Sequence, residues 1–245
     1  MKFYKVFFLT WGFAVFNTIT VSSQETIEFA SEDGLQVTAD LYKAENSENF
    51  IVLFHQAGWS RGEYKEIAPW LVAMGYNCLA VDLRSGSEIN GVKNLTNSRA
   101  VKKGLPTNYK DALPDIEAAV SYVKQKLEAS NVILWGSSYS AALVLKYAGE
   151  NPGKIQAVLS FAPGEYFGKK DYISSSARSI KIPVFITSAR EEAKNWRPIY
   201  DAIESDKKVS FLPETKGNHG SRALWSEFED HEAYRKEVRK FLKTI

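Results

Sequence analysis

The chain has 245 residues, is 44% hydrophobic and 24% charged, and sets 31 Lys+Arg against 29 Asp+Glu. That composition belongs to a globular chain with a sizeable core and excludes a disordered, low-complexity or fibrous one. The near-balanced charge, with no basic tract, gives no footing for nucleic acid or an acidic membrane surface as partner, and a single cysteine, Cys78, excludes an internal disulfide framework.

The first segment reads as a targeting signal. Lys2 and Lys5 precede an apolar run over 6–16, and Val21-Ser22-Ser23 then offers the small residues a signal peptidase needs. A spanning helix needs about 20 apolar residues, so the expectation is a cleaved signal peptide at 1–23 rather than a stable membrane anchor. It implies a periplasmic or secreted protein with one domain at 24–245. Without those two lysines, 29 basic side chains face 29 acidic ones.

Alternating residues at 25–30 and 35–42 flank Ser31-Glu32-Asp33-Gly34 and predict an antiparallel hairpin. Residues 50–54 predict a strand, 67–74 the end of a helix stopping at Gly75, and 76–81 a strand in which Cys78 is a small buried hydrophobe. Ile116, Ala119, Val120, Val123 and Leu127 recur at helical spacing, with Pro114 in the first turn. Strands follow at 131–135, 155–161, 183–187 and 208–212, with helical segments after the first and third. Leu224, Phe228, Tyr234, Val238 and Phe241 mark a closing helix. This order predicts an α/β fold: a mostly parallel central sheet, an N-terminal antiparallel hairpin, and helices on both faces. Sites in such sheets lie at the carboxyl ends of the strands, which directs attention to loops 55–63, 84–109, 136–140, 163–177, 188–195 and 213–222.

Loop 136–140 reads Gly136-Ser137-Ser138-Tyr139-Ser140, between a buried strand and an alanine-rich helix. A serine lifted on a sharp strand-to-helix turn needs small residues two positions away on each side. Gly136 and Ser140 meet that need around Ser138, whereas centring on Ser137 would put Trp135 and Tyr139 there. A serine also needs a base. His219, in Asn218-His219-Gly220, lies in the loop before the closing helix and is the candidate. His231 reads as a surface residue and His55 as a buttress of its own loop. For the acid that orients the imidazole, counting from the strand end favours Glu191, with Glu192 and Glu165 as alternatives. The backbone N–H groups of Tyr139 and Ala57 are the expected oxyanion donors, with Gln56 as an alternative.

The order His55-Gln56-Ala57-Gly58, Gly136-Ser137-Ser138-Tyr139-Ser140, acid loop, Asn218-His219-Gly220 resembles the α/β-hydrolase fold, most closely the compact, lidless members near dienelactone hydrolases and small bacterial esterases. The resemblance implies that Ser138, His219 and Glu191 take the nucleophile, base and acid positions. This sequence departs from the pattern in having Gln56 after His55, Ser140 in place of the last glycine, and Glu where Asp is commoner. Dienelactone hydrolases proper carry a cysteine nucleophile.

About 19 residues between Pro163 and Pro183 are too few for a cap domain, so an open site is expected. Trp59 and Tyr166, with Tyr64 and Trp196, are candidates to line it, and Arg84 to meet a substrate carboxylate. Asn94-Leu95-Thr96 has the form of a glycosylation sequon, read as chance. No metal-ligand spacing or phosphate-cradling motif is present, so no cofactor is expected. The reading is an exported serine hydrolase that cleaves a carboxylic ester or lactone through an acyl-enzyme, on a small-molecule or polymer-attached substrate. The alternatives are a peptidase or acyltransferase on the same triad, or a non-catalytic binding protein on the same scaffold.

Overall fold

The computed structural model describes residues 24–245; the signal-peptide expectation for 1–23 lies outside them. The hairpin forms as expected from β1 (Gln24–Ala30) and β2 (Gln36–Tyr42), paired antiparallel with Ala30 opposite Gln36. Next come β3 (Asn49–Phe54), α1 (Ile67–Val72) and β4 (Asn77–Val81), then a two-stranded ribbon of β5 (Glu88–Ile89) and β6 (Val92–Lys93). The chain continues with α2 (Leu95–Lys102), α3 (Leu113–Gln125), β7 (Asn131–Ser137), α4 (Tyr139–Glu150), β8 (Ala157–Phe161) and α5 (Ser174–Ala177). It closes with β9 (Val184–Thr187), α6 (Ala193–Ala202), β10 (Lys208–Phe211) and α7 (His231–Leu242).

Eight strands form one sheet in the order β1-β2-β4-β3-β7-β8-β9-β10. β2 meets β4 antiparallel, and every pairing from β4 to β10 is parallel. Strand side chains alternate between faces, and here the alternation sorts them into two cores. Val52, Phe54, Leu79, Val81, Leu134 and Val158 pack with α3, α4 and α6. Ile51, Leu53, Ala80, Ile133, Trp135 and Leu159 pack with α1 and α7. Cys78 is buried in the second core. Only the four-residue α5 lies between β8 and β9, so there is no cap domain there.

Two elements differ from expectation. Segment 84–109, expected only as a strand-end loop, holds the β5–β6 ribbon and α2, which Asn94 caps by accepting Asn97 N–H at 2.7 Å. The closing helix begins at His231, not at Leu224, which sits in a 3₁₀ turn (Ser221–Leu224). Trp225 is extended there (φ −70°, ψ 139°), its ring stacked on Trp59 at 5.4 Å and its indole N–H donating to Glu63 O at 3.0 Å. Those contacts hold the backbone out of helical geometry where the apolar spacing alone would continue it.

Candidate active site

β7 and α4 are separated by Ser138 alone, whose backbone sits at φ 59°, ψ −118°. A non-glycine residue there carries strain of about 1–3 kcal/mol, so its surroundings must over-determine it. Ser138 N–H donates to Phe161 O at 2.7 Å. A Cβ at Gly136 would lie 2.5 Å from Ala141 Cα and from Ser140 O, so only glycine lets the helix fold back this closely. Ser140 stands where glycine is commoner because its hydroxyl is structural. It accepts Ser137 N–H at 2.9 Å and lies 2.7 Å from Phe54 O and 2.9 Å from Ser137 O, tying the turn to the end of β3. The turn lifts Ser138 above the carboxyl end of the sheet, at the amino end of a twelve-residue helix whose dipole favours negative charge there.

His219 lies in the loop between β10 and the Ser221–Leu224 turn. Its Nδ1 meets Glu192 Oε1 at 2.6 Å. The partner is thus Glu192 and not Glu191, which is exposed. After β9 the chain enters a 3₁₀ turn (Arg190–Glu192), where each residue rotates the side-chain direction by roughly a third of a circle. Counting from the strand end misses that rotation by one residue. The second oxygen of Glu192 accepts Ala189 N–H at 3.2 Å, which fixes the carboxylate plane. Glu165 is engaged elsewhere: its oxygens accept Ile173 and Ser174 N–H at 2.8 and 2.9 Å and secure the start of α5. Arg190 N–H donates to Lys216 O at 2.9 Å and Tyr234 Oη to Ser188 O at 3.1 Å, locking the acid-bearing loop against the His219 loop and α7.

The His219 loop is seated directly on the serine turn. Ser221 N–H donates to Ser137 Oγ at 2.9 Å, and a Cβ at Gly220 would come within 2.5 Å of that oxygen. Ser138 Oγ and the His219 ring make no direct hydrogen bond in this structure, and Tyr166 stands near both Ser138 and Glu192. Burial pushes its phenol up to about 12, the Glu192 charge adds to the rise, and a polar contact with Ser138 opposes it. Tyr166 is 37% exposed and its hydroxyl donates to Ala162 O at 2.8 Å, so it stands at the rim of the site.

The other two histidines fall where the sequence puts them. His55 is wholly buried: Nδ1–H donates to Gln56 O and Nε2 accepts Leu83 N–H, both at 2.9 Å, and burial lowers its pKa to about 4. It is a neutral strut. His231 begins α7, with Nδ1–H on Phe228 O at 2.7 Å.

Among the described residues, the N–H groups of Ala57 and Tyr139 have no acceptor within the protein. Gln56 N–H is not free: it donates to Glu63 Oε2 at 2.8 Å, which removes Gln56 from the oxyanion candidates.

Of the residues expected to touch substrate, Arg84 is elsewhere. It is 2% exposed, its guanidinium clasps Asp115 at 2.7–3.1 Å and reaches Asp33 at 2.6 Å, and it serves as an internal cross-link. Tyr64 and Trp196 are core residues whose polar tips are satisfied by Phe54 O and Ser188 Oγ. Trp59 is half-buried and stacked on Trp225. Asn94 is 2% exposed, with its amide on Leu83 O at 2.8 Å, so the sequon is sealed inside the fold. The sequence reading missed Glu63, a fully buried carboxylate beneath the site. Nothing in Arg61-Gly62-Glu63-Tyr64-Lys65-Glu66 separates it from Glu66, which is half-buried and paired with Arg235. Among the described residues, no group of three or more His, Cys, Asp or Glu is placed to hold a metal ion.

Residues 45–185 match the family model described as serine aminopeptidase, S33 (Hydrolase_4). Over 142 residues the chain is 29% identical to the quorum-quenching protein AidA of Acinetobacter baumannii, covering 56% of this chain and 43% of that protein. Over 203 residues it is 24% identical to thiohydrolase apmlB of Arthrinium phaeospermum, covering 82% and 62%. The chain therefore spans less than two thirds of either curated relative. Among solved structures, a dienelactone hydrolase from Anabaena variabilis superposes with a TM-score of 0.71 at 14% identity, covering 91% of this chain and 98% of that one. The Pyrococcus furiosus esterase Pf2001 gives 0.69 at 18%, covering 91% and 93%. At these identities the likeness speaks for the fold. With its strained serine turn and the family model spanning more than half its length, the chain belongs to the Hydrolase_4 family of α/β-hydrolases.

Proposed function

We propose that this chain hydrolyses carboxylic esters, with Ser138 as nucleophile, His219 as base and Glu192 as the orienting acid. The observation that carries the reading is the Ser138 turn, at φ 59°, beside the unengaged Tyr139 N–H and under a loop whose histidine is already held by a carboxylate. Nδ1–H of His219 donates to Glu192 Oε1, which leaves Nε2 to accept the Ser138 proton as the substrate closes that gap. The alkoxide attacks the carbonyl, and the developing oxyanion rests on the N–H groups of Tyr139 and Ala57. His219 returns its proton to the leaving alcohol and then deprotonates the water that cleaves the acyl-enzyme. Without a cap, the site suits short acyl groups and esters borne on a larger molecule. Tyr166 and the edge of Trp59 are the aromatic surfaces offered to them.

A fluorophosphonate probe tests the class. Labelling of the wild type that is lost in Ser138→Ala is expected, and an unlabelled, folded wild type would defeat the proposal. Matched acetyl ester, lactone, thioester and amide substrates define the bond. The thioester and amide arms are included because a thiohydrolase and an aminopeptidase family stand among the similarities. Export is part of the proposal, supported by the lysines and apolar run of residues 1–23. N-terminal sequencing of exported protein should begin at Gln24.

A further inference from the structure

We propose that Glu63 is a positioning residue for this reaction, its carboxylate holding the oxyanion loop, the nucleophile turn and the base loop in one register. The inference rests on the serine-hydrolase reading above.

Two direct ties and one relayed tie converge on one side chain. Glu63 Oε2 accepts Gln56 N–H at 2.8 Å, one peptide before the Ala57 donor. Glu63 Oε1 accepts the Ser137 hydroxyl at 2.7 Å, one residue before the nucleophile. That hydroxyl in turn accepts Ser221 N–H at 2.9 Å, two residues after the base. Glu63 itself sits in a rigid 3₁₀ turn (Arg61–Tyr64). Arg61 on one side is paired to Asp82 at 2.7 Å and Asp40 at 3.0 Å, and Tyr64 on the other donates to Phe54 O at 2.6 Å.

The carboxylate is fully buried, and among the described residues no Lys or Arg pairs with it. A buried acid without a cation is costly, and such sites cluster where chemistry is done. Burial pushes its pKa up to about 7, opposed by Ser137, Gln56, the His219 charge and Ser221. The titratable groups facing it are His219, Tyr64 and Tyr139, and burial leaves both phenols neutral. His219 is therefore the cation it is placed to favour. As His219 takes the Ser138 proton, ionised Glu63 adds its negative charge to that of Glu192 in favour of the imidazolium. Gln56 N–H and the Ser137 hydroxyl both donate to Glu63, so the ionised carboxylate satisfies both contacts.

The test compares wild type with Glu63→Gln and Ser137→Ala on p-nitrophenyl acetate and a fluorophosphonate. Glu63→Gln should lower kcat and the phosphonylation rate about tenfold or more, with KM within about twofold. The acid limb of its kcat/KM profile should move to lower pH as the imidazolium loses a favourable charge. Its melting temperature at pH 8 should not fall below that of wild type. Ser137→Ala, which removes only the relay hydroxyl, should lower kcat less and leave the acid limb in place. Wild-type kcat and phosphonylation in both variants would overturn the inference, as would activity falling only in proportion to folded protein. Should Glu63→Gln fail to fold, Ser137→Ala with wild-type kcat overturns it alone. A wild type that does not label defeats the functional reading first, whereas a labelled wild type with equally fast Glu63→Gln defeats only the role of Glu63.

Discussion

Glu192→Gln exchanges one oxygen for an amino group and removes one charge, with consequences that follow from the two contacts of that carboxylate. The amide oxygen keeps Ala189 N–H, now at 3.2 Å, and this turns the NH₂ toward His219 Nδ1, now 2.6 Å from the other oxygen. An NH₂ donates, so Nδ1 must become the acceptor and the ring proton moves to Nε2, the nitrogen that should receive the Ser138 proton. The lost charge adds to this. A carboxylate and an imidazolium about 4 Å apart attract by about 1 kcal/mol in water and about 4 kcal/mol at an effective dielectric of 20. With side chains 32% and 27% exposed, the His219–Glu192 pair lies between those limits. At 1.36 kcal/mol per decade of rate, the charge and the tautomer together should lower kcat by about 10²–10³, short of the roughly 10⁴ for the same exchange in a buried protease triad. Initial rates on p-nitrophenyl acetate at pH 8, normalised by fluorophosphonate titration, measure it. Glu191→Gln should stay within about twofold of wild type. Glu165→Gln should keep its kcat but lose about 1–2 kcal/mol of stability from the start of α5. The assignment fails if Glu192→Gln retains wild-type kcat, or if either of the other two abolishes turnover.

Gly136→Ala should lose about 1–3 kcal/mol or fail to fold, because the added methyl meets backbone atoms of Ser140 and Ala141 that cannot move aside; chemical denaturation reads the loss. Arg84→Ala should cost about 3–5 kcal/mol by stranding buried Asp115, while the folded variant loses no selectivity between neutral and carboxylate-bearing esters. A selective loss for the charged esters would return Arg84 to the substrate site. His55 and Glu63 give stability opposite pH dependences. The unfolded chain protonates His55 below about 6.5 but the fold does not until about 4, so this contribution is lost as pH falls through that window. Glu63 holds its proton in the fold up to about 7 but in the unfolded chain only to about 4.5, so its contribution is lost as pH rises between them. Glu63→Gln should therefore be more stable than wild type above pH 7, by up to about 3 kcal/mol, and converge with it below pH 4.5. Urea titrations from pH 4 to 9 would show parallel curves if Glu63 is not buried as a charge.

The sequence by itself determined the strands of the main sheet and the principal helices, because alternation and helical spacing are local properties of burial, but not the β5–β6 ribbon or α2. It also pointed to Ser138 as the proposed nucleophile, because only Ser138 has small residues at both crowded positions of the turn. The choice of His219 over His55 was equally legible, since a histidine closing a core strand and one in a glycine-flanked loop announce different surroundings. The choice among Glu191, Glu192 and Glu165 was made by tertiary structure, where a single 3₁₀ turn decides which side chain points inward. Arg84 looked like a free rim cation because its partners, Asp33 and Asp115, lie 51 and 31 residues away in sequence. Glu63 was invisible for the same reason. Its contacts come from Gln56 and Ser137, with Ser221 tied in through the Ser137 hydroxyl, and only the assembled sheet brings those loops onto one buried carboxylate.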